Sequence, residues 1–201
     1  MPTLQRTLSV SADDAEELDD GTDFSSVTVR IDCDSNAEAD SRFNGGLRFT
    51  NITIPPGSTI VSATCRLEIP GAAADDPHLD IHCEDVDDAV DFAATADVTS
   101  RARTPASTAW DATGLGIGPA TTPDFAAALQ QVIDRGSWAS GNAVVILLVG
   151  KTTPDATFRF ESADDAGGVD PILDIEYTEP SERSVVLNTD VLRVPDTVTG
   201  Y

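Results

Sequence analysis

Apolar and polar residues alternate with a period of two along most of the chain, which predicts β-strands that bury one face. The clearest stretch runs from Val61 to Ile69, where the odd-numbered positions are apolar and the even-numbered positions are polar or charged. The same alternation gives one apolar face to Val27, Val29, Ile31 and Cys33, to Leu79, Ile81 and Cys83, to Phe158 and Phe160, and to Leu173, Ile175 and Tyr177. Each stretch is predicted to lie over a common core.

Turn signals separate these stretches, among them Asn44–Gly46, Pro55–Gly57 and Gly167–Gly168. Short strands joined by such turns are typical of antiparallel sandwiches. The sequence therefore predicts an all-β fold, an antiparallel β-sandwich of the jelly-roll type, with one α-helix on the sandwich and a C-terminal extended arm. We expect one domain over residues 1–180, since a chain of 201 residues fits a single core.

The predicted helix follows Thr122, which is the expected N-cap, with Pro123 at the first helical position. Its apolar stripe consists of Phe125, Leu129, Val132 and Ile133. The next strand, residues 143–149, is apolar at every position. That pattern predicts a central strand with one face on the core and the other beneath the helix.

The pattern changes after Pro180, where two short apolar runs flank the polar residues 188–190. The runs contain Val185, Val186 and Leu187, and then Val191, Leu192 and Val194. A disordered tail is one interpretation of residues 181–201. Because these runs would expose apolar surface in a monomer, we favour an arm that docks on a partner.

The chain contains 12 Lys and Arg against 35 Asp and Glu, a net charge of −23. This charge disfavours nucleic acid and anionic membrane surfaces as partners, and it favours cationic partners and divalent metals. A role in solubility alone, or in a salty habitat, is the alternative. No apolar run typical of a secretory signal follows Met1, so we expect synthesis and assembly in the cytoplasm of a host cell.

Three cysteines, Cys33, Cys65 and Cys83, all fall on the apolar face of their predicted strands. None belongs to a C-x-x-C pair, so neither a disulfide framework nor a metal or redox site of that kind is indicated. A thiol in such a position behaves as a small apolar side chain, and we expect all three in the core.

Two acidic segments are candidates for a Ca²⁺ site, because this cation takes six to eight oxygen ligands. The candidate ligands are Asp13, Asp14, Glu16, Glu17, Asp164 and Asp165. The spacing of an EF-hand is missing, so solvated loops are the alternative. The sequence indicates no other cofactor.

The two tryptophans, Trp110 and Trp138, have two interpretations. An exposed indole stacks on a sugar ring, whereas a buried one fills a core, and the core is the favoured interpretation here. With 35 acidic residues, adjacent carboxylates are expected from composition alone, so they do not identify the two catalytic carboxylates of a glycosidase. Because no nucleophile or metalloprotease motif occurs either, we predict no catalytic residues.

Several motifs in a fixed order span residues 4–178. They are Ser11–Glu17, Gly46–Ile60, Leu79–Ala89 with Phe92, Ser100–Thr104 with Trp110, Thr122–Phe125, Ile133–Ala143 and Pro171–Ile175. In this order they resemble the disaggregatase-related or DNRLRE-type family of jelly-roll modules, found in cell-surface proteins, polysaccharide-active proteins and phage virions. The resemblance implies a jelly-roll and, in some members, polysaccharide binding, and it implies no catalytic residues.

This resemblance, the lack of an export signal and a module that fills most of the chain together predict a non-enzymatic virion structural protein of a tailed phage. We expect a capsid decoration, cement or neck component, with other virion proteins as partners and a homo-oligomer within the assembly. The alternative is a carbohydrate-binding module that recognises surface glycans on a phage fibre or cell envelope, through Trp110 or Trp138.

Overall fold

A computed structural model describes residues 1–8, 10–38, 41–70, 75–92 and 98–180, and all structural statements here concern these ranges. The strands are β1 (Thr3–Thr7), β2 (Asp14–Leu18), β3 (Arg30–Ser35), β4 (Phe43–Phe49), β5 (Thr59–Ile69), β6 (His78–Cys83), β7 (Thr108–Asp111), β8 (Gly118–Thr121), β9 (Val144–Gly150), β10 (Ala156–Glu161) and β11 (Ile172–Thr178). One α-helix, α1 (Ala126–Ile133), and a 3₁₀ turn at Ser11–Asp13 complete the described elements.

The strands form two sheets and a ribbon, and every pairing is antiparallel. The order is β1-β11-β5-β8 in the first sheet and β2-β4-β9-β6-β7 in the second, while β3 and β10 form the ribbon. The ribbon touches β5 through β10, and it touches β4, β6 and β9 through β3. The predicted antiparallel β-sandwich with a single helix is thereby confirmed.

Most predicted inward positions are buried in one large apolar cluster between the sheets. They include Ile31, Cys33, Leu79, Ile81, Cys83, Phe158, Phe160, Leu173, Ile175 and Tyr177. Cys33, Cys65 and Cys83 are free thiols with no exposed surface, so their expected place in the core is confirmed.

Strand β5 departs from the predicted parity at its start. Ala63, Cys65, Leu67 and Ile69 are buried as expected, but Val61 is 40% exposed and its neighbour Ile60 is buried. The pairing shifts there, because Glu176 faces Ser62 whereas Tyr177 faces Ile60, which leaves Val61 as an extra residue. A β-bulge of this kind reverses the side-chain parity, so the inward prediction for Val61 was wrong.

The predicted inward positions of Val27 and Val29 were also wrong. Strand β3 begins only at Arg30, and the two valines are 75% and 53% exposed. The backbone before β3 is held by Ser162 instead of by a neighbouring strand. The Ser162 hydroxyl donates to Thr28 O (2.5 Å) and the Ser162 N–H donates to Val29 O (3.3 Å).

Strand β9 is central and buried on both faces, as predicted, but α1 does not cover it. Val144, Ile146 and Leu148 face the main core, whereas Val145 and Leu147 belong to a second apolar cluster. This cluster also contains Ala15, Ala89, Phe92, Val98 and Ala143. The predicted cover by the helix was wrong, because α1 packs on β5 and β6.

A glycine in β4 makes room for this second cluster. A Cβ atom on Gly46 would lie 2.4 Å from the ring of Phe92. No side chain fits at that distance, so the absence of one at position 46 lets the Phe92 ring lie on the sheet.

The helix starts later than predicted, with Phe125 as its N-cap. Thr122 does not cap it, because its hydroxyl accepts the N–H of Cys65 in β5 (2.9 Å). Asp124 Oδ1 accepts the N–H groups of Ala63 and Ala126, both at 2.9 Å. The predicted apolar stripe is confirmed, since Phe125, Leu129, Val132 and Ile133 are all buried. Within the described ranges, no helix is both long enough and apolar enough to cross a lipid bilayer.

The described chain ends at Pro180, two residues after β11. The predicted arm, residues 181–201, therefore lies outside the described residues, together with Val185, Val186, Leu187, Val191, Leu192 and Val194. The described core residues and the strands of both sheets lie within residues 1–180.

Candidate functional site

The acidic opening of the chain is folded into the sandwich. Asp14, the first residue of β2, is fully buried, and its Oδ2 atom accepts the N–H of Ala163 (2.8 Å). Its other oxygen has no hydrogen-bond partner in the part of the chain that the structure describes. Burial, together with the nearby charges of Asp164, Asp13 and Asp170, raises the pKa of Asp14 to about 7, although the bond from Ala163 opposes the shift.

A second group of acids, which are half-buried, connects β2 to the β3–β10 ribbon. Glu16 accepts the backbone N–H of Asp32 (2.6 Å), and burial raises the pKa of Glu16 to about 7. Burial and the charge of Asp32 likewise raise the pKa of Asp34 to about 7. Burial also raises the pKa of Asp32, which pairs with Arg159 (3.0 Å), and the charges of Arg159 and Arg30 oppose that rise. The carboxylate of Glu16 therefore joins β2 to the ribbon. Keeping these negative charges partly away from water and close together costs electrostatic free energy.

The remaining candidate Ca²⁺ ligands are also bound within the fold. Asp13 pairs with Arg48 (2.6 Å), and the carboxylate of Glu17 accepts the N–H groups of Val98 (2.9 Å) and Thr99 (2.7 Å). Asp164 accepts the hydroxyl of Ser11 (3.1 Å), and Asp165 accepts the N–H of Gly167 (3.2 Å). Each of these acids thus has a structural partner.

The structure brings Asp13, Asp14 and Asp164 near one another, while Glu16 and Glu17 point to different partners. Among the residues with described positions, no three His, Cys, Asp or Glu side chains form a group that could hold a metal ion. The Ca²⁺ site stays a prediction from sequence, and its six residues do not form one ligand set.

Both tryptophans are buried, at 3% exposure for Trp110 and 4% for Trp138. The Trp110 ring meets the ring of Phe158 edge-on, with centroids 5.1 Å apart. The indole N–H of Trp138 donates to Ile54 O (3.0 Å), between the main core and the end of α1. Neither indole presents a face on which a sugar could stack in this conformation.

The histidines and thiols are bound or buried as well. His78 Nδ1 lies 3.2 Å from Asp111, and His82 Nδ1 lies 3.0 Å from Thr104 O. Burial raises the pKa of all three cysteine thiols, so the nucleophilic thiolate form is disfavoured.

Arginines organise much of the acidic surface, a role that the sequence analysis missed. Arg101, with a side chain only 5% exposed, pairs with Glu84 (2.6 Å) and lies over the ring of Phe92, 4.3 Å from its centroid. Arg135 binds both Asp85 and Asp87. The scarcity of basic residues in this acidic protein was the signal that could have indicated these ion pairs. Where cations are few, each one is expected to have a carboxylate partner.

No family model matches the sequence, and no curated protein matches it either. Buried and half-buried acids are bound to N–H groups or arginines, both indoles fill the core, and the interior is packed with apolar side chains. What remains for other molecules is the exterior of the sandwich and its strand edges.

Proposed function

We propose that the protein is a non-enzymatic virion structural protein of a tailed phage, a capsid decoration, cement or neck component. Its sandwich packs on the particle, and the arm after Pro180 reaches a neighbouring subunit. The resemblance to jelly-roll modules of phage virions motivates the virion setting. The observation that carries the binding role is the filled interior, at which buried and half-buried carboxylates bind backbone N–H groups and arginines.

The electrostatics support a role on the outside of a particle. A net charge of −23 keeps copies of the chain soluble and apart until a specific contact holds them. It also favours partners with basic surfaces and opposes binding to the packaged nucleic acid.

The C-terminal segment suits a contact between subunits. Residues 181–201 contain Arg183, Arg193, Glu182, Asp190 and Asp196, a net charge of −1 on 21 residues. This segment can approach another acidic subunit with little repulsion, and its valines have a high β-propensity.

A reconstitution experiment tests this proposal. Particles of the source phage that lack the gene are mixed with purified full-length protein, and we expect saturable co-sedimentation. Replacing Val186 and Leu192 by Asp should weaken binding by about tenfold or more, because charges enter the two apolar runs. The control replaces Thr197 and Thr199 by Asp, which adds the same charge outside the runs, and should bind within about twofold of wild type.

Two results contradict the proposal. One is the absence of the protein from purified particles by mass spectrometry, combined with no binding to deficient particles. The other is equal binding by the two doubly substituted proteins, which would remove the apolar runs from the contact.

The alternative of a carbohydrate-binding module has a different basis. The resemblance motivates it, but the two indoles that would stack on a sugar are buried. A polar depression of about 420 Å³ beside β1, lined in part by Gln5, Thr64 and Asp174, is one surface with donors and acceptors for sugar hydroxyls. Selective binding on a glycan array would favour this alternative over the first proposal.

A further inference from the structure

Among the described strands, the edge of β1 is the place on the exterior at which another molecule can add a strand to the sheet. Within the described ranges, β1 pairs only with β11, and Thr3, Gln5 and Thr7 are exposed. Leu8 N–H donates to Pro171 O (2.9 Å), and Tyr177 N–H donates to Pro2 O (3.1 Å). Antiparallel bonding alternates with a period of two, so even-numbered residues point their backbone groups at β11. The N–H and C=O groups of Thr3, Gln5 and Thr7 therefore point away from the sheet.

The other edges in the described part of the chain are obstructed. On β2, Glu16 and Ser25 exchange two backbone hydrogen bonds (both 2.9 Å), and Leu18 N–H donates to Thr22 O (3.0 Å). β8 has four residues and includes Pro119, which lacks an N–H. β7 also has only four residues, and one of them is Asp111.

The ribbon edges are bound too. In β10, Thr157 O accepts the N–H of Asp75 (2.6 Å), and Thr157 N–H donates to the carboxylate of Asp75 (3.2 Å). In β3, the N–H of Asp32 donates to Glu16 (2.6 Å). By contrast β1 has five residues, no proline and no acid, and its one charged side chain is Arg6. Arg6 Nη1 donates to Gln5 O (2.8 Å), so one outward acceptor already has a donor.

We propose that the edge of β1 binds residues 185–194 of a second copy of this chain by β-strand addition. Main-chain hydrogen bonds to Thr3, Gln5 and Thr7 give the affinity, and either apolar run is long enough to pair with three or four residues of β1. This inference rests on the proposed assembly function and names the acceptor for its arm.

The position of the arm favours this occupant. β11 ends beside Pro2, so the described chain stops at the end of the sheet at which β1 begins. Within its own chain, residues 185–187 would enter at the Pro2 end and run parallel to β1. Antiparallel pairing is somewhat more stable per residue, and a second copy can present the arm in that direction. The net charge of −1 on the arm limits repulsion between two strongly acidic copies.

Sedimentation of full-length variants tests the acceptor edge. Gln5→Pro removes an outward N–H and leaves the bonds to β11 in place, so we expect the dissociation constant for self-association to rise about tenfold or more. The matched control is Gln5→Ala, which also loses the 2.7 Å bond from Gln5 to Asp174 but keeps the N–H. It should associate within about twofold of wild type. Equal association by both variants, or a monomeric wild type, would overturn the inference.

Cross-linking then distinguishes a second copy from the same chain. A Thr7→Cys copy and a Val191→Cys copy with different tags are mixed and treated with a short bismaleimide, since the native thiols are buried. We expect a product that carries both tags. A cross-link that forms only within a doubly substituted chain would place the arm on its own β1 and overturn the inference.

The two proposals fail in different ways. A wild-type monomer that still decorates particles through residues 185–194 would overturn the β1 contact and leave the virion function standing. Self-association through β1 without any binding to particles would do the reverse.

Discussion

Asp14 and Asp174 both lie on sheet strands, and their pKa values shift in opposite directions. Asp14 is fully buried, has one N–H partner and no cation among the described residues, and its pKa rises to about 7. At Asp174 partial burial alone would raise the pKa, but hydrogen bonds from Arg66 (2.6 Å) and Gln5 (2.7 Å) outweigh it and the pKa falls. In a chain with few cations, the position of each arginine decides which carboxylates are readily ionised.

Glu84 resembles Asp14 in being mostly buried, and it resembles Asp174 in having an arginine partner. Its partner Arg101 is 5% exposed, also donates to Val90 O and Asp91 O, and lies over Phe92. Arg101→Met should lower the free energy of unfolding by about 3–5 kcal/mol, because it leaves Glu84 buried without its counter-charge. Urea denaturation at pH 7 measures this loss. A loss below about 1 kcal/mol would mean that water reaches Glu84 and the pair acts as a surface one.

Replacing Asp14 should raise the free energy of unfolding, whereas replacing Arg101 should lower it. Asp14→Asn keeps an acceptor for Ala163 N–H and removes the buried charge, so we expect a gain of about 2–4 kcal/mol at pH 8. The sign follows from the raised pKa of Asp14. Its contribution to stability is fully present below the unfolded value near 3.8 and is lost as the pH rises through about 7.

The gain should therefore shrink towards zero at pH 4, where wild-type Asp14 is protonated in the folded state. Asp155→Asn serves as the control, because it removes the same charge from an exposed side chain. Equal effects of the two substitutions at pH 8 would attribute the gain to net charge and not to burial.

The exposed pair should give the smallest effect. Arg66 and Asp174 have side-chain exposures of 45% and 34%, so Arg66→Met should cost less than about 1 kcal/mol, and less still in high salt. Thermal melts of the variant at low and high ionic strength measure both quantities. A cost comparable to that of Arg101→Met would remove the distinction between the buried and the exposed pair.

Local pattern predicted the fold better than it predicted the site. Alternation identified the inward residues of β6, β10 and β11, because side-chain parity is a property of each strand alone. It failed at Val61, where a bulge in the pairing with β11 reverses the parity. The acidic residues of the opening were noticed, but their burial was not, because the backbone donors of Ala163 and Asp32 come from distant parts of the chain.

The sequence by itself determined the class of the fold: an antiparallel sandwich with buried thiols, one amphipathic helix and a large excess of negative charge. Only the tertiary structure decided that Phe92, and not α1, covers the outer face of β9, and that β1 lies at the edge of its sheet in the described part of the chain. The physical reason is the separation along the chain of the residues that interact. Parity, capping and charge are set by neighbours along the chain, whereas burial without a counter-charge and unpaired strand edges depend on which segments meet in space.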